Sequence, residues 1–240
     1  MIPFGLASLM TVSLPIGRRA TKCLVPGAAA VYLCNEGSGT VLRDYSGNAR
    51  DAAFGAAGAA PSWGATGVYF DGGDYASCAA AWLDAPTALT VIVVATLANT
   101  DTERLINRAT GVTTTGTGWI LSKDATGAKM IMYDGAGNRV VSNAAVPATG
   151  APVFLASIWD GATVTAYTGL TAGAAVACVG HTAATAQDLT LGKASWSNDG
   201  PLTGTIHAAL VYPFAFTPAQ LAATKAALAA FLAPRGATLA

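Results

Sequence analysis

The chain has 240 residues, with 13 Lys plus Arg against 13 Asp plus Glu; charged residues make up only 11% of it and hydrophobic residues 52%. A soluble domain ordinarily carries roughly 25% charged residues, so this surface has little charge to hold neighbours apart, and a subunit of a larger assembly, a homo-oligomer, is expected. With no net charge and no basic run longer than Arg18-Arg19, the chain lacks the electrostatic footprint of a nucleic-acid binder.

Met1 to Ile16 is apolar but is interrupted by Pro3, Gly5 and Pro15, and no Lys or Arg precedes it. A secretory signal needs a cationic start and a spanning helix needs about 20 continuous apolar residues. Membrane insertion is therefore not expected, and residues 1–27 read as an extended arm. Ile2, Phe4, Leu6 and Leu9 are its expected assembly contacts, on its own domain or on a neighbouring subunit.

Residues 28–216 read as one all-β unit, since antiparallel sandwiches often reach about 200 to 250 residues. Short runs of Val, Ile, Tyr and Leu alternate with Gly, Asn, Asp and Pro clusters, the pattern of strands joined by turns. Strands are predicted over 29–34, 67–70, 89–97, 118–122, 129–133, 153–159 and 163–168. Asp134-Gly135 and Asp160-Gly161 mark hairpins. Leu89 to Leu97 is nearly all apolar, so it should be a central strand covered on both faces. Trp119 and Trp159 fall in strand patterns and are expected in the core, and Trp63 and Trp82 are expected to pack.

The last element, within residues 217–240, is a helix over 217–232. Thr217, Pro218 and Gln220 supply an N-cap, a first-turn proline and the return arm of a capping box. Leu221, Leu228, Phe231 and Leu232 form one apolar face, with Lys225 toward solvent, and Pro234 and Gly236 end the helix. Cys23, Cys34, Cys78 and Cys178 have no CxxC spacing and no neighbouring His. Buried reduced thiols, not a zinc site, are expected. His181 and His207 are expected as loop or strand histidines with satisfied rings.

Three fragments stand in order: Val31-Tyr32-Leu33-Cys34-Asn35-Glu36-Gly37-Ser38-Gly39-Thr40, Asp44-Tyr45-Ser46-Gly47-Asn48, and Gly67-Val68-Tyr69-Phe70-Asp71-Gly72-Gly73-Asp74-Tyr75. Ile158-Trp159-Asp160-Gly161 and the 202–216 strand with its helix follow them. Together they resemble the laminin-G-like, concanavalin A-like lectin-glucanase superfamily, of the kind found in bacteriophage virion proteins. The resemblance implies an antiparallel two-sheet jelly-roll sandwich with a C-terminal α-helix, and a structural or adhesion role in a virion, as a tail-fibre, tail-tip or capsid decoration protein. It implies other virion proteins as partners and the virion, assembled in the host cytoplasm, as location.

Some members of that superfamily hold Ca²⁺ through loop carboxylates, which need six to eight oxygens around the ion. Asp71 and Asp74 are the residues where this would occur, although turn hydrogen bonding accounts for both, and no cofactor is required. The alternative function is a lectin for cell-surface glycan, with Trp196 as a stacking platform beside Asn198 and Asp199. Glycoside hydrolysis, hosted by the same fold, is the remote alternative. A retaining hydrolase needs two carboxylates about 5 to 5.5 Å apart, and here the only glutamates are Glu36 and Glu103. Asp101 stands two residues before Glu103, but no Glu-x-Asp-x-x-Glu run of the kind such enzymes carry occurs, so no enzyme activity is expected.

Overall fold

The computed structural model describes residues 24–112, 116–197 and 199–239. The arm positions Ile2, Phe4, Leu6 and Leu9, together with Cys23 and Asn198, lie outside the described residues. The described residues form two antiparallel sheets packed face to face, with one α-helix, Pro218–Leu232, at the C-terminal end. The chain is an all-β jelly-roll sandwich carrying a C-terminal helix.

The helix-side sheet runs in the order β14 (Thr171–Ala172), β13 (Thr163–Thr168), β12 (Pro152–Trp159), β7 (Leu89–Leu97), β17 (Thr203–Tyr212), β5 (Val68–Asp71) and β4 (Ser62–Trp63). In the same sheet β1 (Ala30–Tyr32) pairs with the far end of β17, and β15 (Val176–Ala177) pairs with β13. The far sheet runs β11 (Arg139–Asn143), β10 (Gly127–Tyr133), β9 (Gly118–Asp124), β8 (Glu103–Ala109), β16 (Leu189–Leu191), β6 (Ala76–Cys78), β3 (Ala52–Phe54) and β2 (Val41–Leu42).

β7 sits between β12 and β17 and is covered on both faces, as its unbroken apolar run requires. Val91, Val93, Ala95 and Leu97 enter the core between the sheets, where they meet Trp119, Leu121, Met130 and Leu191. Ile92 and Val94 point the other way, into a second apolar layer with Phe154, Leu210 and Tyr212. Leu221, Leu228, Phe231 and Leu232 of the helix seal that layer. The period-2 alternation of a strand and the 3.6-residue period of a helix thus meet on one surface. The expected capping box is present: Thr217 Oγ1 accepts from Gln220 N at 3.3 Å and Gln220 Oε1 accepts from Thr217 N at 2.8 Å. Lys225 is half-buried, not solvent-directed, because its ammonium lies over the turn at Gly169.

The hairpin aspartates act as their turns demand. Asp134 accepts from the backbone of Ala136 and Asn138, and Asp160 from that of Ala162 and Thr163. Asp44 accepts from the N–H groups of Val31, Ser46 and Arg50, tying the first strand to the turn that follows. Cys34, Cys78 and Cys178 are buried free thiols. Burial pushes all three thiols above their ordinary pKa, Cys178 to about 11, which leaves them protonated and unreactive at neutral pH. Among the described residues, no helix is long and apolar enough to cross a membrane.

Both ends of the inter-sheet space carry buried charge. At one end Glu103 and Lys123 form a 3.0 Å ion pair, with both side chains 1% exposed. Glu103 also accepts from Thr203 N, and Lys123 donates to the Asn99 carbonyl. Burial raises the Glu103 pKa, against the pull of the Thr203 amide and Lys123. At the other end buried Arg108 donates to the Gln187 carbonyl and to Asp84.

Candidate functional site

The outer face of the helix-side sheet is closed by the helix, whereas the outer face of the far sheet is covered by loop residues, Val112 and Trp196 among them, which bury Asn107, Ile120, Ile131 and Thr190. Strand alternation assigns its residues. In β6, Ala76 and Cys78 enter the core and Ser77 points out; in β16, Leu189 and Leu191 enter the core and Thr190 points out. Register then lines up a row across the sheet: Ser77 opposite Thr190, Thr190 opposite Asn107, Asn107 opposite Ile120, Ile120 opposite Ile131, and Ile131 opposite Val141. The row is polar on one side of Asn107 and apolar on the other.

A loop crosses the face at that boundary. It starts at Gly192 and returns at Gly200, both in the left-handed region at φ +87° and +55°. A β-carbon at Gly192 would fall 2.2 Å from the Phe70 ring, so only glycine fits there. Asn107 pins the loop from below, donating to the Lys193 carbonyl and accepting from Ser195 N at 2.8 Å. Ser195 Oγ adds two bonds to the backbone of Ala109, at 2.7 Å to O and 3.0 Å from N. These bonds hold Lys193 over the polar half of the row and Trp196 over the apolar half.

On the polar half the loop encloses a groove of about 310 Å³ lined by Tyr75, Ser77, Gln187, Asp188, Thr190, Lys193 and Ser195. The Lys193 ammonium stands 3.8 Å from the centre of the Tyr75 ring, a cation–π contact worth about 0.5–1 kcal/mol at an exposed site. The groove therefore presents an aromatic ring, an ammonium, a carboxylate, an amide and hydroxyls to one small volume. Such a set can exchange hydrogen bonds with a polyhydroxylated ligand in both directions. Tyr75 lies inside the family-like run at 67–75, where its side chain reads as one more turn residue; only the parity of β6 shows that it faces out beside Lys193.

Trp196 is half-buried and packs against Ala109, Ile120, Ile131 and Tyr133. It is thus an anchor of the loop as well as a surface aromatic, not a free-standing platform. Asp199 is exposed and accepts from Arg104 Nη2 at 3.0 Å. Trp196 and Asp199 thus share one loop and one sheet face with the groove.

Asp71 and Asp74 lie away from this loop's far half and face each other across the turn after β5. Asp74 accepts from Asp71 N at 3.1 Å and Asp71 accepts from Gly73 N at 3.2 Å. Burial, with Asp71 alongside, raises the Asp74 pKa. Among the described residues, no group of three or more His, Cys, Asp and Glu side chains comes together. Glu36 accepts from Arg43 N in a separate, larger groove of about 430 Å³ at the β2 edge. Trp119 and Trp159 are core, and Trp63 and Trp82 pack from the margin against the same core.

His207 has both ring nitrogens bonded, to Thr96 Oγ1 at 2.8 Å and the Thr66 carbonyl at 2.9 Å, in the bulge of β17. His181 differs from expectation: its buried Nδ1 has no hydrogen-bond partner, and its ring lies 5.7 Å from that of Trp159. Burial takes its pKa down to about 4.

No family model matches the chain, and no curated protein matches it in sequence. Among solved structures it is similar to Trypanosoma rangeli sialidase in complex with sialic acid, with a TM-score of 0.61 at 14% identity, covering 87% of this chain and 33% of that one. It is also similar to domain 4 of AbnA, a GH43 extracellular arabinanase from Geobacillus stearothermophilus, in complex with arabinotriose, with a TM-score of 0.55 at 17% identity, covering 82% and 98%. A third likeness is to the binding domain of botulinum neurotoxin serotype D, with a TM-score of 0.59 at 10% identity, covering 85% and 51%. The chain thus spans about one third of the sialidase chains it matches. At these identities the likeness is one of fold.

Proposed function

We propose that this chain is a non-catalytic carbohydrate-binding module whose ligand surface is the outer face of the far sheet. The observation that carries the reading is the groove beneath the Gly192–Gly200 loop, where Tyr75, Asp188 and Lys193 converge with the outward hydroxyls of Ser77 and Thr190. Specific polar groups set around an aromatic floor are how a concave site fixes a ligand's orientation. A domain of similar fold in complex with arabinotriose, matched over 98% of its length, supports the glycan class. The non-catalytic part rests on the glutamates: Glu103 is held in a buried ion pair and Glu36 lines a different groove.

The test is a glycan array followed by calorimetry on Tyr75→Ala. Binding is expected to weaken by at least tenfold, about 1.4 kcal/mol, while the melting temperature stays close to that of the parent. Binding that survives this substitution unchanged would move the ligand off the groove. Membership of a larger assembly is a second reading, supported by the 11% charged content and the apolar stretch at 1–16, with a virion as that assembly resting on the superfamily resemblance alone. Light scattering that finds a stable trimer or larger favours assembly, and a monomer argues against it.

A further inference from the structure

We propose that the glycan recognised by this face carries a carboxylate and that Arg104 is the residue that receives it. This inference rests on the carbohydrate-binding reading and adds the chemistry of the sugar. A second cross-strand row runs beside the first one, with Arg104 opposite Ser122 and Ser122 opposite Lys129. The Arg104 side chain is 7% exposed, and its buried Nε has no hydrogen-bond partner among the described residues. Ser122, 1% exposed, likewise has a buried Oγ without a partner among the described residues. Two neighbouring polar groups on the candidate face are thus both left with an unmade hydrogen bond, which folded proteins rarely leave unanswered.

The present partner of the guanidinium identifies what it takes. Asp199 reaches Arg104 through one oxygen and one N–H, at 3.0 Å, from a side chain that is 44% exposed. A carboxylate is therefore already accommodated at this edge of Arg104, but it engages Nη2 and not Nε. A guanidinium binds a carboxylate best through two parallel N–H groups. A ligand carboxylate replacing Asp199 would take Nη2 and Nε together, and Ser122 Oγ would donate to it. Lys129 is neutralised by Asp124, whereas Arg139 stands opposite Tyr133 at the end of β11. A neutral hydroxyl in the same place would leave the buried guanidinium without a counter-charge. Uronic acids and nonulosonic acids both present the required group beside a sugar ring.

The experiment is calorimetry on the full chain with three oligosaccharides: one ending in glucuronic acid, one in N-acetylneuraminic acid, and one in a neutral sugar. Each is titrated into the parent, Asp199→Asn and Arg104→Lys. Asp199→Asn removes the competing carboxylate from an exposed position, so it is expected to tighten binding of an acidic ligand about tenfold relative to that of the neutral one. Arg104→Lys, with folding checked by its melting temperature, is expected to abolish the preference for acid. Binding of one acidic ligand and not the other supports the proposal and names the source. Acidic and neutral ligands binding equally well to the parent and to Asp199→Asn overturns it while the carbohydrate reading stands. A sulfated oligosaccharide that outcompetes both acids overturns the carboxylate assignment. If none of the sugars binds, both readings fall.

Discussion

The outer faces of the two sheets differ in what covers them, and the proposed ligand surface rests on that difference. On the helix-side sheet the outward residues Ile92, Val94, Phe154, Leu210 and Tyr212 form an apolar layer flanked on β7 by Thr90 and Thr96, and one helix closes over that layer. On the far sheet the outward row changes from Ser77, Thr190 and Asn107 to Ile120, Ile131 and Val141, and only a loop crosses it. An apolar face stabilises by exclusion of water and tolerates any partner of the right shape. A mixed face with pinned polar groups cannot be closed by a helix without leaving some of them unpaired. The first face holds the fold together, and the second carries the proposed ligand groove.

Breaking the sealed face should have the largest effect. Phe231→Ala deletes a buried ring between the helix and the sheet and is expected to cost about 3–5 kcal/mol, read from the urea unfolding midpoint. Glycan binding by the surviving folded fraction should be unchanged, since the helix lies on the opposite side of the sandwich from the groove. A loss of affinity in the folded fraction would show that the two faces are coupled.

The next effect is on pH dependence and lies near the loop face. His181 has a folded pKa of about 4 against an ordinary 6.5 because burial disfavours its charged form. His207 is shifted down for the same first reason. Between those values for His181 the unfolded chain binds the proton and the folded chain does not, so stability falls as the pH falls from about 6.5 toward 4. The loss from His181 should be up to about 3 kcal/mol, and His181→Phe should flatten that part of the urea-midpoint profile. A profile that keeps its slope in the variant would assign the effect elsewhere.

Asn107 tests whether the loop is held as its hydrogen bonds indicate. Asn107→Ala leaves the Lys193 carbonyl and the Ser195 amide without their partner and should cost about 2 kcal/mol. Its effect on binding should exceed its effect on stability, because Lys193 and Trp196 are both positioned through it. Hydrogen exchange at 193–197 that stays as slow as in the parent would show that Ser195 alone suffices.

The sealed face was far more legible in sequence than the open one. The apolar run at 89–97 and the capping box at Thr217 and Gln220 each follow from local rules, and both stand in the structure. β8 was not singled out, because Glu103, Arg104, Asn107 and Arg108 make it read as a polar connection; all are buried and paired by residues distant in sequence. The groove was invisible for a related reason. Tyr75, Thr190 and Lys193 are brought together by strand register, which depends on pairings more than 100 residues apart. Trp196 stood out in sequence as an aromatic in a polar loop, but the apolar residues it packs on come from β8, β9 and β10. Physical proximity across strands, not residue type, is what a single sequence withholds here.

The smallest effect separates two buried serines on the far sheet. Ser142, on the inner face of β11, donates to the Ala174 carbonyl at 2.8 Å and accepts from Ala166 N at 2.9 Å, so it links the two sheets. Ser142→Ala should cost about 1–3 kcal/mol because two buried backbone groups lose their partner. Ser122, on the outer face of β9, is as buried but its hydroxyl has no partner. Ser122→Ala therefore removes a desolvated hydroxyl that gives nothing back, and the urea midpoint should stay within about 0.5 kcal/mol of the parent or rise. A clear loss of stability in Ser122→Ala would mean that its hydroxyl is bonded within the free protein. That group would then be unavailable to a ligand, and the assignment of the Arg104 row as an acid-binding edge would lose its second contact.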